Sequence, residues 1–202
     1  MELVFATGNM NKMREIREIF EGLKINGEEI SIFSMKEKGV DVDIVEDGQT
    51  FLQNATIKAK AVAKVLPEAI VLADDSGLEV DYINKEPGIY SARYMGEDTS
   101  YHIKNANIIE RIKDAVEDER SARFVCAIAA VFPGGKVLSA VECMEGRIAY
   151  EERGEHGFGY DPIFLVPPYT QTSAEISPEE KNAISHRGKA LRNIKKQIEE
   201  MI

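Results

Sequence analysis

The sequence is short of cysteine, of basic charge and of long apolar runs. Its two cysteines, Cys126 and Cys143, are widely spaced and form no CxxC pair, which argues against a zinc site or a disulfide framework. The 25 basic residues are outnumbered by 35 acidic ones, leaving a net charge of −10. That field disfavours nucleic acid and anionic membranes as partners. A small anion carried with a divalent cation is compatible with it. No apolar run reaches membrane-spanning length and no signal peptide is evident, so a soluble cytoplasmic protein is expected. The GxxxxGK[ST] phosphate loop, internal repeats, low-complexity tracts and flexible linkers are absent as well.

What is present suits one globular domain, or two lobes sharing a core, in 202 residues. Hydrophobic content of 44% and charged content of 30% leave enough apolar side chain for a sizeable core without covalent staples. The organising stretch is Leu72-Ala73-Asp74-Asp75-Ser76-Gly77-Leu78. An apolar run from Ala69 to Ala73 reads as a buried strand, and a second strand-like run starts at Leu78. The residues between them read either as an Asp-rich turn or as a ligand site at the carboxyl end of a strand.

Along the chain, Glu2 to Ala6 is a predicted strand that leads through Thr7-Gly8-Asn9 into a helix. With Lys12 at the helix start, this is a plausible phosphate cradle, since helix N-termini attract anions. Further strands are predicted at 29–33 and 40–45. Thr50 and Gln53 form a capping box opening a helix to about Leu66, on which Asn54 and Lys58 project from one side near the same end as Glu46. Asp98 or Thr99 is expected to cap a helix to about Val116, with Ile103, Ala106, Ile109, Ile112 and Val116 facing the core and His102 at the surface.

Phe124 to Phe132 reads as a central strand, followed by a second long strand from Lys136 that bends at Gly146 on its way to Tyr150. Paired long strands imply a mixed sheet. The segment from Gly154 to Pro162, with Phe158, Gly159, Tyr160 and Asp161, is built to approach a planar ligand. Ser177-Pro178-Glu179-Glu180 starts a short turn carrying Lys181, and Ser185-His186-Arg187 leads into a last helix. These pieces share one explanation. Carboxylates gathered in a dry site need a cation, magnesium takes one or two carboxylates plus phosphate oxygens, and an aromatic ring stacks on a base. The constellation describes a metal-dependent nucleotide site.

Six ordered motifs, FATGNMNK, EDGQTFLQNATIKAKA, LADDSGLEVD, PGIYSARY, GEHGFGYDP and SHRGKAL, resemble the inosine triphosphate pyrophosphatase family over nearly the whole chain. The resemblance implies an elongated mixed α/β sheet with flanking helices, two lobes around a central cleft in a single domain spanning 1–202, and a homodimer. It implies hydrolysis of non-standard purine nucleoside triphosphates (ITP, dITP, XTP) to the monophosphate and pyrophosphate.

By motif, Thr7, Gly8, Asn9, Lys12 and Lys58 would hold phosphates, and Glu46 and Asp75 would bind Mg2+, with Asp75 also the catalytic base. Glu46 is assigned by counting back from Gly48. Ser76 would contact substrate, Phe158, Gly159, Tyr160 and Asp161 would line the base pocket, and Lys181, His186 and Arg187 would close it. Arg93 transfers less directly, and Asp74 is either a second metal group or support for a turn. Rival readings are a modified-pyrimidine pyrophosphatase on a related fold, a kinase or β–γ-cleaving hydrolase, and a non-catalytic nucleotide sensor. A nucleic-acid-binding module is disfavoured by the charge.

Overall fold

The computed structural model describes residues 2–25 and 27–201. In chain order the elements are β1 (Glu2–Phe5), α1 (Met10–Phe20), β2 (Lys24–Ile25), β3 (Glu28–Glu29), β4 (Ser31–Ser34), α2 (Phe51–Val65), β5 (Ile70–Val80) and β6 (Glu86–Pro87). There follow α3 (Tyr101–Arg111), β7 (Ser121–Val131), β8 (Val137–Ile148), β9 (Phe164–Val166), β10 (Gln171–Thr172), α4 (Pro178–Ile184) and α5 (His186–Met201). The fold is mixed α/β. Among the described residues no helix is long and apolar enough to cross a membrane.

Two compact units share the chain. The first takes residues 1–75, 126–142 and 187–202, and the second takes 76–125 and 143–186. In the first, β1 lies between β4 and β5 and runs parallel to both, with Leu3 beside Ile32 and Ile70. Burial of β1 and the start of β5 on both faces explains their unbroken apolar runs. Leu3, Phe5, Ile70 and Leu72 join Met13, Ile16 and Phe20 of α1 and Leu191, Ile194 and Ile198 of α5 in one core. Each such side chain contributes about 1.5–3 kcal/mol by leaving water. Cys126 sits in this core, and burial pushes its thiol up to about 12.

The second unit has its own core of Leu78, Val80, Ile108, Ile112, Phe124, Ile148 and Phe164. Its later strands pair antiparallel, β8 with β9 and β9 with β10, and β6 lies antiparallel on β5. Gly146 causes no break in β8. A Cβ there would lie 2.4 Å from the Phe164 ring, so glycine is required for close approach rather than for a bend.

Local signals predict element starts well. Thr50 accepts from the Gln53 N–H at 3.1 Å, and Ser177 forms a reciprocal capping box with Glu180. Lys181 is carried on a seven-residue helix rather than a turn. Three expectations are corrected. The segment 40–45 is extended but unpaired, with Val45 70% exposed, because its alternating pattern has no neighbouring strand. The acidic stretch is neither a turn nor an interruption, since β5 runs unbroken for 11 residues through Asp74 to Gly77. Helix α3 is capped by Ser100 and ends at Arg111, and its buried face is Lys104, Asn105, Ile108 and Ile112, while Ile103 is 51% and Val116 64% exposed.

Arg120 shows how the second unit tolerates a buried charge. Its guanidinium donates to the carbonyls of Ile148 at 2.8 Å, Ala149 at 2.9 Å and Ile112 at 3.0 Å, and stacks on Tyr150. Arg120→Met should lower stability by about 3 kcal/mol, because the carbonyls are left unsatisfied. Urea denaturation checks this, and an unchanged midpoint would contradict it.

Candidate active site

In the first unit, α1 begins directly after β1. Asn9 receives the Lys12 N–H on its side-chain oxygen at 3.3 Å, and Thr7 receives the Asn9 N–H at 3.1 Å. These two contacts fold Thr7-Gly8-Asn9 into a compact helix entry. A side chain added at Gly8 would meet no protein atom within 4 Å, so this backbone faces open space. The Lys12 ammonium lies 2.9 Å from Asp74 on β5.

Asp74 is buried and would be costly as an isolated carboxylate. Burial raises its pKa, but Lys12, Arg187 and Lys58 outweigh that and hold it well below the ordinary carboxylate range. Arg187 lies 3.5 Å from Asp74 and 3.0 Å from Glu15 of α1. Asp74 is therefore fixed as an anion inside a cationic frame.

Asp75 points to a different set of partners. Lys58 of α2 stands 3.0 Å from Glu46 and 3.6 Å from Asp75, so one ammonium serves two carboxylates. Asn54, one turn earlier, donates to Asp75 at 3.2 Å and accepts the Gly48 N–H at 2.9 Å. Gly48 is obligatory there, because a Cβ would fall 2.5 Å from the Asn54 oxygen. The Asp75 pKa is raised by burial, with Glu46 and Asp74 adding to it and Lys58 and Asn54 opposing. Burial lowers the Lys58 pKa, but Asp75, Asp74 and Glu46 together raise it overall.

Among the described residues no group of three or more His, Cys, Asp or Glu is placed to cage a metal unaided. Two carboxylates that already share one cation instead fit a hard ion taking one or two protein oxygens and completing its shell with water or phosphate.

In the second unit, Asp161 organises the glycine loop. Its carboxylate accepts from the Phe158 N–H at 2.8 Å, from Lys181 at 2.6 Å and from the Ser173 hydroxyl at 2.5 Å. Gly157, at φ +77°, leaves room for that carboxylate, which a Cβ would strike at 2.2 Å. The Lys181 ammonium also lies 5.2 Å from the Phe158 ring centre, and Phe158 is half-buried with a face able to stack. Tyr160 turns inward, its hydroxyl donating to the Ser91 carbonyl at 2.7 Å. His186 is buried and stacks on Phe124 at 4.9 Å.

The sequence-predicted residues thus fall into two sets. In the first unit Lys12 and Arg187 meet Asp74, while Lys58 meets Glu46 and Asp75. The second brings Phe158, Asp161 and Lys181 together, with Gly159 and Tyr160 in the same loop. Ser76 is half-buried on β5, and Arg93 is exposed against Tyr90 outside both sets. Asn54, Glu15 and Ser173 were not among the predicted site residues. Asn54 carried a signal in its four-residue spacing from Lys58, whereas nothing local pairs Glu15 with a residue 172 positions away.

A cavity of about 220 Å3 beside Arg120, Arg147 and Tyr150 is a weaker nucleotide candidate. Arg120 is spent on backbone carbonyls and Arg147 on Glu117 and Asp118.

The Ham1 family profile matches residues 3–197. A Clostridium perfringens protein named dITP/XTP pyrophosphatase is 45% identical, over 96% of this chain and 95% of its own. The structure of a HAM1 protein from Coxiella burnetii shares 40% identity with a TM-score of 0.88, covering 99% of both chains. The Staphylococcus aureus Ham1 structure shares 38% identity with the same TM-score over 100% of both. With a profile match over residues 3–197 and a relative 45% identical over 96% of its length, the chain belongs to the Ham1 family.

Proposed function

We propose that this protein hydrolyses non-standard purine nucleoside triphosphates, ITP, dITP and XTP, to the nucleoside monophosphate and pyrophosphate. The observation that carries the reading is Lys58 shared between Glu46 and Asp75, with Lys12 on the neighbouring Asp74. Relatives that cover nearly the whole chain and are named dITP/XTP pyrophosphatase support the choice of substrate.

The first unit is assigned the triphosphate. Lys12, Lys58 and the open backbone at Gly8 neutralise and position phosphate oxygens, and positioning plus charge neutralisation supplies most of the catalysis in phosphoryl transfer. Asp75 accepts the proton of the water that attacks the α-phosphorus. Asp74 is less suited to that role, because Lys12 and Arg187 hold its charge in place. Glu46 and Asp75 would hold Mg2+, which supplies phosphate charge neutralisation and acidifies water when bound.

The second unit is assigned the base. Phe158 offers a stacking face, and donors such as His186 or loop N–H groups match a 6-oxo acceptor. Adenine, with an amino group there, would leave buried donors unpaired. The homodimer belongs to the same proposal, supported by Tyr90, Met95 and Ile103, large apolar side chains left exposed on this unit.

Two outcomes follow. With Mg2+, pyrophosphate release from ITP, dITP and XTP should exceed that from ATP by about 10⁴-fold in kcat/KM. Preference for TTP or UTP would favour the pyrimidine reading, orthophosphate release a β–γ hydrolase or kinase, and an intact nucleotide a sensor. Asp75→Asn should lower kcat by about 10²–10⁴-fold while nucleotide binding stays measurable by calorimetry. Near-normal turnover in that variant would remove Asp75 as the base.

A further inference from the structure

Helix α3 carries an asparagine that the reaction does not yet use. Asn105 is buried, at 1% exposure, on a face where an apolar side chain is the ordinary occupant. Its amide nitrogen donates to Glu152 at 2.7 Å and to the Gly159 carbonyl at 3.3 Å. Its side-chain oxygen is buried and has no partner among the described residues. Turning the amide over would aim that oxygen at a carboxylate and a carbonyl, two acceptors, so the orientation is fixed. A leucine, branched like asparagine with the same number of side-chain heavy atoms, would remove the unsatisfied oxygen. Keeping the amide burdens folding stability, and what it secures in return is a hold on the glycine loop.

The loop needs such a hold. Gly157 and Gly159 both sit at positive φ, +77° and +69°, in the region only glycine enters freely. Asp161 fixes the Phe158 N–H, one end of the segment. Asn105 fixes the Gly159 carbonyl, and in a planar trans peptide this also sets where the Tyr160 N–H aims. Tyr101, on the first turn of α3, supports the same point. Its ring lies 3.5 Å from where a Gly159 Cβ would be and packs edge-on to Tyr160 at 5.2 Å. Lys104 holds that turn in place, with its ammonium 2.7 Å from the Ala92 carbonyl and 4.8 Å from the Tyr101 ring centre.

We propose that Asn105 is a positioning residue for base recognition, holding the Gly159 carbonyl so that the Phe158–Tyr160 loop presents one surface to the purine. This rests on the assignment of that loop to the base. The effect acts through the loop, so it falls on KM and base discrimination rather than on the chemical step.

The test compares wild type with Asn105→Leu, with Asn105→Ala in parallel should the leucine variant not fold, and with Glu152→Gln. Steady-state kinetics on ITP, GTP and ATP, melting temperature and amide hydrogen exchange are measured for each. For Asn105→Leu, KM for ITP should rise about tenfold and discrimination against GTP or ATP should narrow, with kcat within about threefold. Its melting temperature should stay close to that of wild type, since losing the orphaned oxygen offsets the acceptors left on Glu152 and Gly159. Exchange at residues 157–160 should quicken about tenfold, with the remainder of the second unit unchanged. Glu152→Gln should resemble wild type.

Unchanged KM and exchange would overturn the proposal. So would activity lost in step with a lower melting temperature, or a full effect reproduced by Glu152→Gln. If wild type releases no pyrophosphate from ITP, the functional reading fails, and the role in base recognition with it. The exchange data then decide separately whether Asn105 holds the loop.

Discussion

Two adjacent carboxylates in a buried strand are the constraint on which the first unit depends. Like charges about 4 Å apart repel by about 4 kcal/mol at an effective dielectric of 20. Asp74 and Asp75 alternate across β5, so each can be given its own counter-charge. Asp74 receives Lys12 and Arg187, and Asp75 receives Lys58 and Asn54. Those partners come from α1, α5 and α2. These helices supply the counter-charges as well as burying apolar side chains.

The pairing also divides labour between the two acids. A carboxylate locked in a strong ion pair is a poor proton acceptor, and Asp74 is in that state. Asp75 shares its lysine with Glu46 and is left with a raised pKa. In the second unit the same economy recurs around Asp161, whose oxygens bind Phe158, Ser173 and Lys181 and are used to shape a loop. Carboxylates thus serve as frame and as loop anchor in one chain, according to what surrounds them.

Much of this was legible in the sequence where the determinants are local. The caps at Thr50 and Ser177, the strand at the start of the chain and the phosphate-like entry before Lys12 all rest on neighbours within a few residues. Errors arose where distant partners decide. Asp74 to Gly77 has turn composition, but cations 62 and 113 positions away keep it in a strand. The alternation at 40–45 lacks a pairing partner. The isoleucines of α3 suggest one face, while Lys104 and Asn105 bury another because loop and carbonyl acceptors await them. Arg187 reaches Glu15 and Asp74, partners that nothing in its local sequence announces.

The central claim is that Asp75 directs water at the α-phosphorus. Hydrolysis of ITP in water enriched in 18O tests it most directly, because the label marks the phosphorus attacked. The account predicts one 18O in the inosine monophosphate and none in the pyrophosphate. Label in the pyrophosphate would show attack at the β-phosphorus and would contradict the proposed roles of Asp75, Lys12 and Lys58.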